Sequence, residues 1–284
     1  MKSIKYFLFP VYLACFVPLT AQNIISGKVF LDKNGNGIQD RSEHGIKAVP
    51  VSNGRDVVLT DKDGNFSISV ADGESLFPIF PSGYTSSSGD IIRSSDFLFK
   101  TRQSKDKVNF ALKKEKQPEH FTLGAIGDIQ MGNPQELDYA NQTIIPELAG
   151  RKDIQLAVWL GDLVNNRLEL FEDVREMIRC TEIPSWVLPG NHDRITNGHT
   201  LQDSLFNCYF GASAYAFNYG NVHFIILNNV APDSKRGYKA RISDRQMTFI
   251  KNDLSYVPKD RFVVFCQHIP LVHTENIEDL KTLL

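Results

Sequence analysis

The sequence predicts an α/β domain preceded by a smaller all-β domain, and two patterns in the 284-residue chain support this prediction. Residues 22–115 contain short strands separated by Gly, Asn and Asp turns, without a helical period. From residue 119 to the end, apolar runs of strand length alternate with helical segments, as in a sheet covered by helices. The charged stretch 113–118 between these regions is the expected linker.

The first 21 residues have the order of a secretory signal peptide. A basic start precedes an apolar run over residues 6–17, and small residues lead to Ala21. We therefore expect cleavage after Ala21 and export to the periplasm or the extracellular space. The alternatives are a membrane anchor, for which the run is short and interrupted by prolines, and lipid attachment at Cys15. No later segment has the length and apolarity of a membrane span.

Composition excludes a partner chosen by bulk charge. The net charge is -2 and the pI is about 6.4, so no basic field is present to hold nucleic acid. Three cysteines follow the signal peptide, namely Cys180, Cys208 and Cys266. A Cys180–Cys208 bridge is one option, but the odd count and wide spacing favour three free, mostly buried thiols.

The secondary-structure pattern differs between the two regions. In the all-β region, which we expect to form a compact sandwich, strands are predicted at 25–31, 49–51, 56–60, 65–70 and 107–112. In the α/β region, strands are predicted at 123–126, 155–160, 186–188, 222–227 and 262–266, with helices at 135–148, 168–179 and 244–254. Ser243 and Gln246 form a capping-box pattern at the start of the last helix.

Polar side chains follow four of the predicted α/β strands. They are Gly127-Asp128-Ile129-Gln130, Gly161-Asp162, Gly190-Asn191-His192-Asp193 and Gln267-His268. Sites in open α/β sheets form at the carboxyl ends of the strands, so these residues are the candidate functional groups.

This ordered set resembles the motifs of the calcineurin-like metallophosphoesterase family, from about residue 121 to the end of the chain. Segment 215–224 also resembles the connecting region of extracellular members. The resemblance implies a four-layer α/β/β/α sandwich that hydrolyses a phosphoester outside the cytoplasm. In that reaction, a hydroxide bridging two divalent ions of manganese, iron or zinc attacks phosphorus.

The resemblance also implies roles for individual residues. Asp162 would bridge the two metals, Asp128 and Gln130 would bind the first, and Asn191 and His268 would bind the second. Asp128 and Gln130 are two positions apart, so an extended backbone would direct both side chains to one side. Taken singly, Gly-Asp after a strand is also a common turn, and a histidine such as His268 is more often structural.

His192 would protonate the leaving oxygen, and Asp193 would orient its imidazole. His223 lies inside a predicted strand and is expected to serve packing or support. The Gly198-His199 pair is expected to lie in a loop.

Two departures from the family pattern affect the catalytic prediction. Gln130 stands where the family usually has histidine, and its neutral oxygen implies an altered metal preference. The family has a Gly-His-x-His element downstream of the histidine matched by His268, whereas His273 is the one histidine that follows here. We therefore expect a C-terminally truncated catalytic domain. The alternative function is a non-catalytic, calcium-stabilised binding module with a degenerate metal site.

Residues 32–43 form a second motif, because they fit the calcium-loop pattern D-x-[DN]-x-[DN]-G-x5-E. The flanking strands resemble those of calcium loops in bacterial β-sandwich repeats, and the expected role is stabilisation. The alternative is a plain Asn-Gly hairpin turn. The expected oxygen ligands are the side chains of Asp32, Asn34, Asn36, Asp40 and Glu43 and the carbonyl of Ile38.

Overall fold

The computed structural model describes residues 23–101, 105, 107–197 and 200–284. The predicted signal peptide and the Gly198-His199 pair lie outside these residues. Within the described part of the chain, every helix is too short or too polar to cross a bilayer.

The N-terminal domain consists of two four-stranded sheets, and the predicted all-β architecture is confirmed. The first sheet has the order β4-β1-β8-β6 and the second β3-β2-β5-β7. Strand β1 pairs antiparallel with β4 and parallel with β8. The strands are β1 (Asn23–Leu31), β2 (Pro50–Ser52), β3 (Val57–Leu59), β4 (Asn65–Val70), β5 (Ser75–Pro78), β6 (Tyr84–Ser86), β7 (Leu98–Phe99) and β8 (Lys107–Lys114).

Alternation of side chains explains the predicted strands of this domain. In β4, Phe66, Ile68 and Val70 point into the core while Asn65 and Ser67 face solvent. Strands β5, β6 and β7 were not predicted. They are two to four residues long, which leaves too few positions for a period to be recognised.

The second domain has two three-stranded sheets, with orders β11-β10-β9 and β14-β15-β18. The first sheet is parallel, and β18 adds in parallel to the antiparallel β14-β15 pair. Hairpins β12-β13 and β16-β17 lie outside the sheets. The strands are β9 (Thr122–Ile126), β10 (Ile154–Trp159), β11 (Ser185–Val187), β12 (Ile195–Asn197), β13 (Thr200–Gln202), β14 (Tyr215–Tyr219), β15 (Val222–Leu227), β16 (Val230–Asp233), β17 (Gly237–Ala240) and β18 (Phe262–Gln267).

Three of the five α-helices in the described residues were predicted. The helix over Leu168–Arg179 begins with a 3-10 turn at Leu168–Leu170. Ser243 accepts a hydrogen bond from the Gln246 amide, as the capping-box pattern predicted. Two short helices, α3 and α5, were missed. The helices are α1 (Pro134–Gly150), α2 (Phe171–Arg179), α3 (Ser204–Phe210), α4 (Asp244–Leu254) and α5 (Ile277–Lys281).

The two sheets of the second domain pack face to face between helices, so the expected layered α/β/β/α arrangement is confirmed. Trp159 and Val187 point toward α2 and α3, in a cluster with Phe171 and Phe206. Trp186, on the opposite face, stacks on Phe217 of the second sheet with ring centroids 3.8 Å apart. Successive strand residues point to opposite faces, which explains why these apolar runs show no polar positions.

The N-terminal domain packs directly on the second domain, and the two share one hydrophobic core. Phe80 lies 5.7 Å from Trp186 between ring centroids, and its carbonyl accepts hydrogen bonds from Asn218. Arg179 forms an ion pair with Asp90 at 2.7 Å. Burial of aromatic rings across this boundary therefore joins the domains into one packed unit.

The three cysteines are free, but the expectation that most are buried is wrong for two of them. Cys266 lies inside β18 and is buried, whereas Cys180 and Cys208 are exposed. Cys180 follows the last residue of α2 and Cys208 lies within α3, and the type of a single residue does not show which side of a helix faces solvent.

We expect Trp186→Ala to lower the free energy of unfolding by about 3–5 kcal/mol, because it leaves a cavity between both sheets and Phe80. Tyr139→Ala, at a side chain on α1 that is 55% exposed, should change it by less than about 0.5 kcal/mol. Urea denaturation of the two variants measures this difference. Equal effects would show that Trp186 does not anchor the shared core.

Candidate metal centre

The strand ends of the first sheet form two interlocked loops. Asp128, Gln130 and Asp162 have φ angles of 57°, 43° and 52°, in the left-handed region that most residues avoid. The backbone amide of Gln130 donates to the backbone carbonyl of Asp162 at 2.8 Å, and the backbone amide of Asp128 donates to the carbonyl of Gly161 at 3.1 Å. The expectation of an extended backbone at Asp128 and Gln130 is therefore wrong. The directions of the Asp128 and Gln130 side chains are set by left-handed turns of the backbone and not by the alternation of side chains along a strand.

Gly190 is required because the backbone of one loop touches the side chain of another. A Cβ at this position would lie 2.0 Å from the Asp162 Oδ1 atom and 2.3 Å from the Asp162 amide. Only a glycine permits that approach. The Gly-Asn-His-Asp element therefore holds the Asp162 carboxylate in place through its first residue.

The structure brings the five predicted metal ligands together. Carboxylate oxygens of Asp128 and Asp162 and a ring nitrogen of His268 lie within 4.8 Å of one another. Asn191 Oδ1 lies 3.3 Å from His268 Nε2, and Gln130 Nε2 lies 2.9 Å from Asp162 Oδ2. The two oxygens of Asp162 thus face different groups, as a bridging ligand requires.

A backbone group orients His268. Its Nδ1 lies 2.9 Å from the Leu160 carbonyl, which can only accept a hydrogen bond, so Nδ1 is the donor of this pair. The other ring nitrogen, Nε2, faces Asp162 Oδ1 at 3.5 Å and Asn191 Oδ1 at 3.3 Å. The neutral ring would therefore present Nε2 to a divalent cation beside these two oxygens. The Leu160 carbonyl was not predicted, because residue type carries no signal for a backbone group.

His192 lies at the rim of this cluster. Its Nε2 is 3.9 Å from Asp162 Oδ2, and its side chain is 30% exposed. Its backbone amide donates to Asp162 Oδ1 at 2.9 Å. The ring can therefore reach a bound substrate while its main chain supports the metal ligand.

The predicted orientation of His192 by Asp193 is wrong. The Asp193 carboxylate is fully buried and accepts from the backbone amides of Leu163, Val164 and Gly190 at 2.9–3.0 Å. His192 Nδ1 has no hydrogen-bond partner among the described residues. Burial raises the pKa of Asp193 to about 6, although the amide bonds oppose this shift. Asp193 instead ties together the two loops that carry the metal ligands.

His223 has the supporting role expected of it. Its ring is 1% exposed, and its two nitrogens lie 2.7 Å from Asp253 and 3.0 Å from Asn218. Asn218 in turn contacts the N-terminal domain at Phe80. His223 therefore braces β15 against α4 and lies in a hydrogen-bond chain that ends at the domain boundary.

The 32–43 loop folds tightly around its own side chains. Asp32, which is 2% exposed, accepts from the amides of Gly35 and Gly37 at 2.7 and 2.8 Å. Glu43 accepts from the amides of Lys33 and Asp40 at 2.7 and 3.0 Å. Both the calcium loop and the hairpin turn remain compatible with this geometry. The side-chain amides of Asn34 and Asn36 donate to the Asp40 carboxylate. The side-chain oxygen of Asn36 accepts from the backbone amide of Ile38, and the Ile38 side chain is exposed.

A metal-ligand cluster at the strand ends of a layered α/β/β/α domain defines a class of metal-dependent hydrolases. Residues 121–282 match the family model for calcineurin-like phosphoesterases. Residues 33–115 match the model for the N-terminal domain of calcineurin-like phosphoesterases. The first match covers more than half of the chain, so the chain belongs to the calcineurin-like phosphoesterase family and is by family a hydrolase.

Two individual proteins are similar to the chain. A 3',5'-cyclic-nucleotide phosphodiesterase of Nostoc sp. is 26% identical over 122 residues, which are 43% of this chain and 43% of that protein. The match therefore spans less than half of the relative. The crystal structure of a dimetal phosphatase from Danio rerio superposes with a TM-score of 0.40 and 16% identity, over 57% of this chain and 76% of that one.

We expect Gly190→Ala to weaken manganese binding by about tenfold or more, because the added methyl group displaces the Asp162 carboxylate. Gly150→Ala is the matched control, since a Cβ there meets no atom within 4 Å. Isothermal titration of manganese into each variant measures the effect. Unchanged binding in Gly190→Ala would show that the contact with Asp162 does not shape the site.

Proposed function

We propose that this chain hydrolyses a phosphoester with two divalent metal ions held by Asp128, Gln130, Asp162, Asn191 and His268. One observation carries the proposal, namely that ligand atoms of Asp128, Asp162 and His268 lie within 4.8 Å of one another. Membership in the calcineurin-like phosphoesterase family supports it. Bound there, the metals would neutralise the phosphoryl oxygens and ionise a water molecule.

The protein's own groups divide the remaining work. Asp162 offers Oδ2 on the Gln130 side and Oδ1 on the His268 side, so one carboxylate serves both halves of the site. Asp193 accepts hydrogen bonds from three backbone amides and so fixes the position of the two loops relative to each other. His192 lies at the rim of the cluster and is the side chain that would donate a proton to the leaving oxygen.

The donor set favours manganese for the first metal. Asp128, Gln130 and Asp162 offer only oxygen atoms, which suit manganese better than they suit zinc. The Gln130 side chain donates a hydrogen bond from Nε2 to Asp162. To bind a metal, the side-chain amide would have to rotate so that Oε1 faces the ion. The second metal gains the His268 nitrogen, so iron or zinc are also suited to that position.

The proposed location is outside the cytoplasm. The basic start, the apolar run and the small residues before Gln22 support this part of the proposal. The substrate is a phosphoester outside the cell membrane. The cyclic-nucleotide phosphodiesterase of Nostoc sp. is the reason to include cyclic nucleotides among the diesters that are assayed.

We expect the purified chain with manganese to cleave para-nitrophenyl phosphate or its bis-ester. His192→Ala should lower the rate by about 100- to 10,000-fold, because the leaving oxygen loses its proton donor. His273→Ala, outside the ligand cluster, serves as the control and should retain activity. Absorbance at a fixed manganese concentration reports the rates, with cyclic AMP assayed separately by chromatography.

A different outcome would favour the alternative function. Among residues 269–284 the one histidine, His273, lies outside the cluster of Asp128, Asp162 and His268. If wild type binds manganese and phosphate by calorimetry but turns over none of these esters, the chain is a non-catalytic binding module. Equal turnover in wild type and His192→Ala would instead remove His192 from the mechanism.

We also propose that the 32–43 loop binds calcium and stabilises the N-terminal domain. The loop fits every defined position of the calcium-loop pattern, and Gly37 has the left-handed φ of 73° that the sharp turn needs. Asp32 and Glu43 are both buried against the loop, so the loop already approximates a closed shape.

Calcium at about 100 times its dissociation constant should stabilise the protein by about 2.7 kcal/mol. We expect Asp32→Asn and Glu43→Gln to abolish this gain, whereas Asp63→Asn, at an exposed turn, should keep it. Thermal unfolding with calcium or with a calcium chelator measures the gain. A calcium-independent melting temperature in wild type would support the plain hairpin turn.

A further inference from the structure

A cavity of about 560 Å³ lies between the two domains, and none of the five predicted metal ligands is among its lining residues. One wall is formed by the N-terminal domain around Asn53, Glu74 and Phe77. The other wall is formed by α3, hairpin β16-β17 and the first turn of α4. This volume is within the range of small-molecule sites, which often form at domain boundaries.

Two of the three arginines that line the cavity are already neutralised. Arg245 bonds to Glu74 at 2.8 Å and to the Asn53 carbonyl at 2.7 Å. Arg194 is paired with Asp203 and also donates to the Val230 carbonyl. These contacts hold the two walls in place, and they leave neither guanidinium free to bind an anion.

Arg241 is different, because its charge in the wall is only weakly paired. Its ionic contact among the described residues is Asp244 at 3.6 Å, beyond hydrogen-bond distance, and the Asp244 side chain is 95% exposed. Such a pair contributes little. The planar guanidinium therefore has donors available for a carboxylate or a phosphate.

Hydroxyl groups also line the cavity. Ser204 and Ser213 are among its lining residues, and their hydroxyls can accept a hydrogen bond from a hydroxyl or amino group of a bound molecule. Phe77, Phe99 and Ala212 supply apolar surface for the body of such a molecule.

We propose that this interdomain cavity binds a small organic anion that also carries hydroxyl or amino groups. Arg241 would hold the anionic group, and the hydroxyls of Ser204 and Ser213 would accept hydrogen bonds from donors of the ligand. The chemistry is that of a sugar phosphate or a sugar acid. Because both domains form the walls, the bound molecule would bridge them and stabilise their contact.

The test uses ribose 5-phosphate, gluconate and uncharged ribose as probes. The protein is treated with EDTA, desalted, and then supplied with calcium but no manganese, so that manganese-dependent hydrolysis at the other centre is absent and no EDTA competes for the anion site. Calorimetry gives the affinities, and thermal unfolding shows whether each variant is folded. We expect at least one anion to bind more tightly than ribose. The phosphate and the carboxylate arms then distinguish the two classes of anion.

Variants locate the binding in the cavity. Arg241→Ala should lower the affinity for the anion by about tenfold, because a hydrogen bond to a charged group is lost. Arg241→Lys should retain part of the affinity for the anion, and Ser213→Ala should weaken the binding of the anion and of ribose alike. Arg236→Ala, an exposed arginine of the same hairpin outside the cavity, is the matched control.

Two results would overturn the proposal. One is that neither anion binds more tightly than ribose to the wild-type protein. The other is that Arg241→Ala and Arg236→Ala lose affinity equally, which indicates general surface charge. Neither result bears on phosphoester hydrolysis, which is measured with manganese present and at a different set of residues.

Discussion

The metal centre depends on the close contact between Gly190 and the Asp162 carboxylate. The space for a Cβ at Gly190 is filled by Asp162 Oδ1, and the amide of His192 donates to the same oxygen. The element after β11 therefore sets the position of the residue after β10. Asp193 holds the two segments together, because its buried carboxylate accepts from the backbone amides of Leu163 and Val164 after β10 and of Gly190 after β11. A ligand set drawn from separate strands is thus aligned by backbone contacts and not by the ligands themselves.

These backbone contacts bring two carboxylates and a ring nitrogen together. Ligand atoms of Asp128, Asp162 and His268 lie within 4.8 Å of one another. Like charges at this separation repel, and a bound cation would offset that repulsion. Metal binding would therefore add to the stability of the fold.

The N-terminal domain is part of the same packed unit. Phe80 packs on Trp186, and Asp90 pairs with Arg179 of α2. Trp186 belongs to β11, the strand that leads to Gly190 and Asn191. The two domains therefore support the same strand from opposite sides. The interdomain cavity lies where this contact is incomplete, and its wall includes Arg194, which follows Asp193 directly.

The sequence by itself determined the two architectures, the main strands of the α/β domain and the identity of the five candidate metal ligands. Apolar runs and strand-end motifs are formed by residues close together in the sequence, so they can be recognised without knowledge of the fold. Tertiary structure alone decided the left-handed turns at Asp128 and Gln130, the use of Asp193 as a loop tie, the exposure of Cys180 and Cys208, and the shared core. Each of these depends on which atoms meet after distant segments pack, and Asp193 shows why. A buried carboxylate binds the nearest unpaired donors, and here those donors are backbone amides that no side-chain pattern reveals.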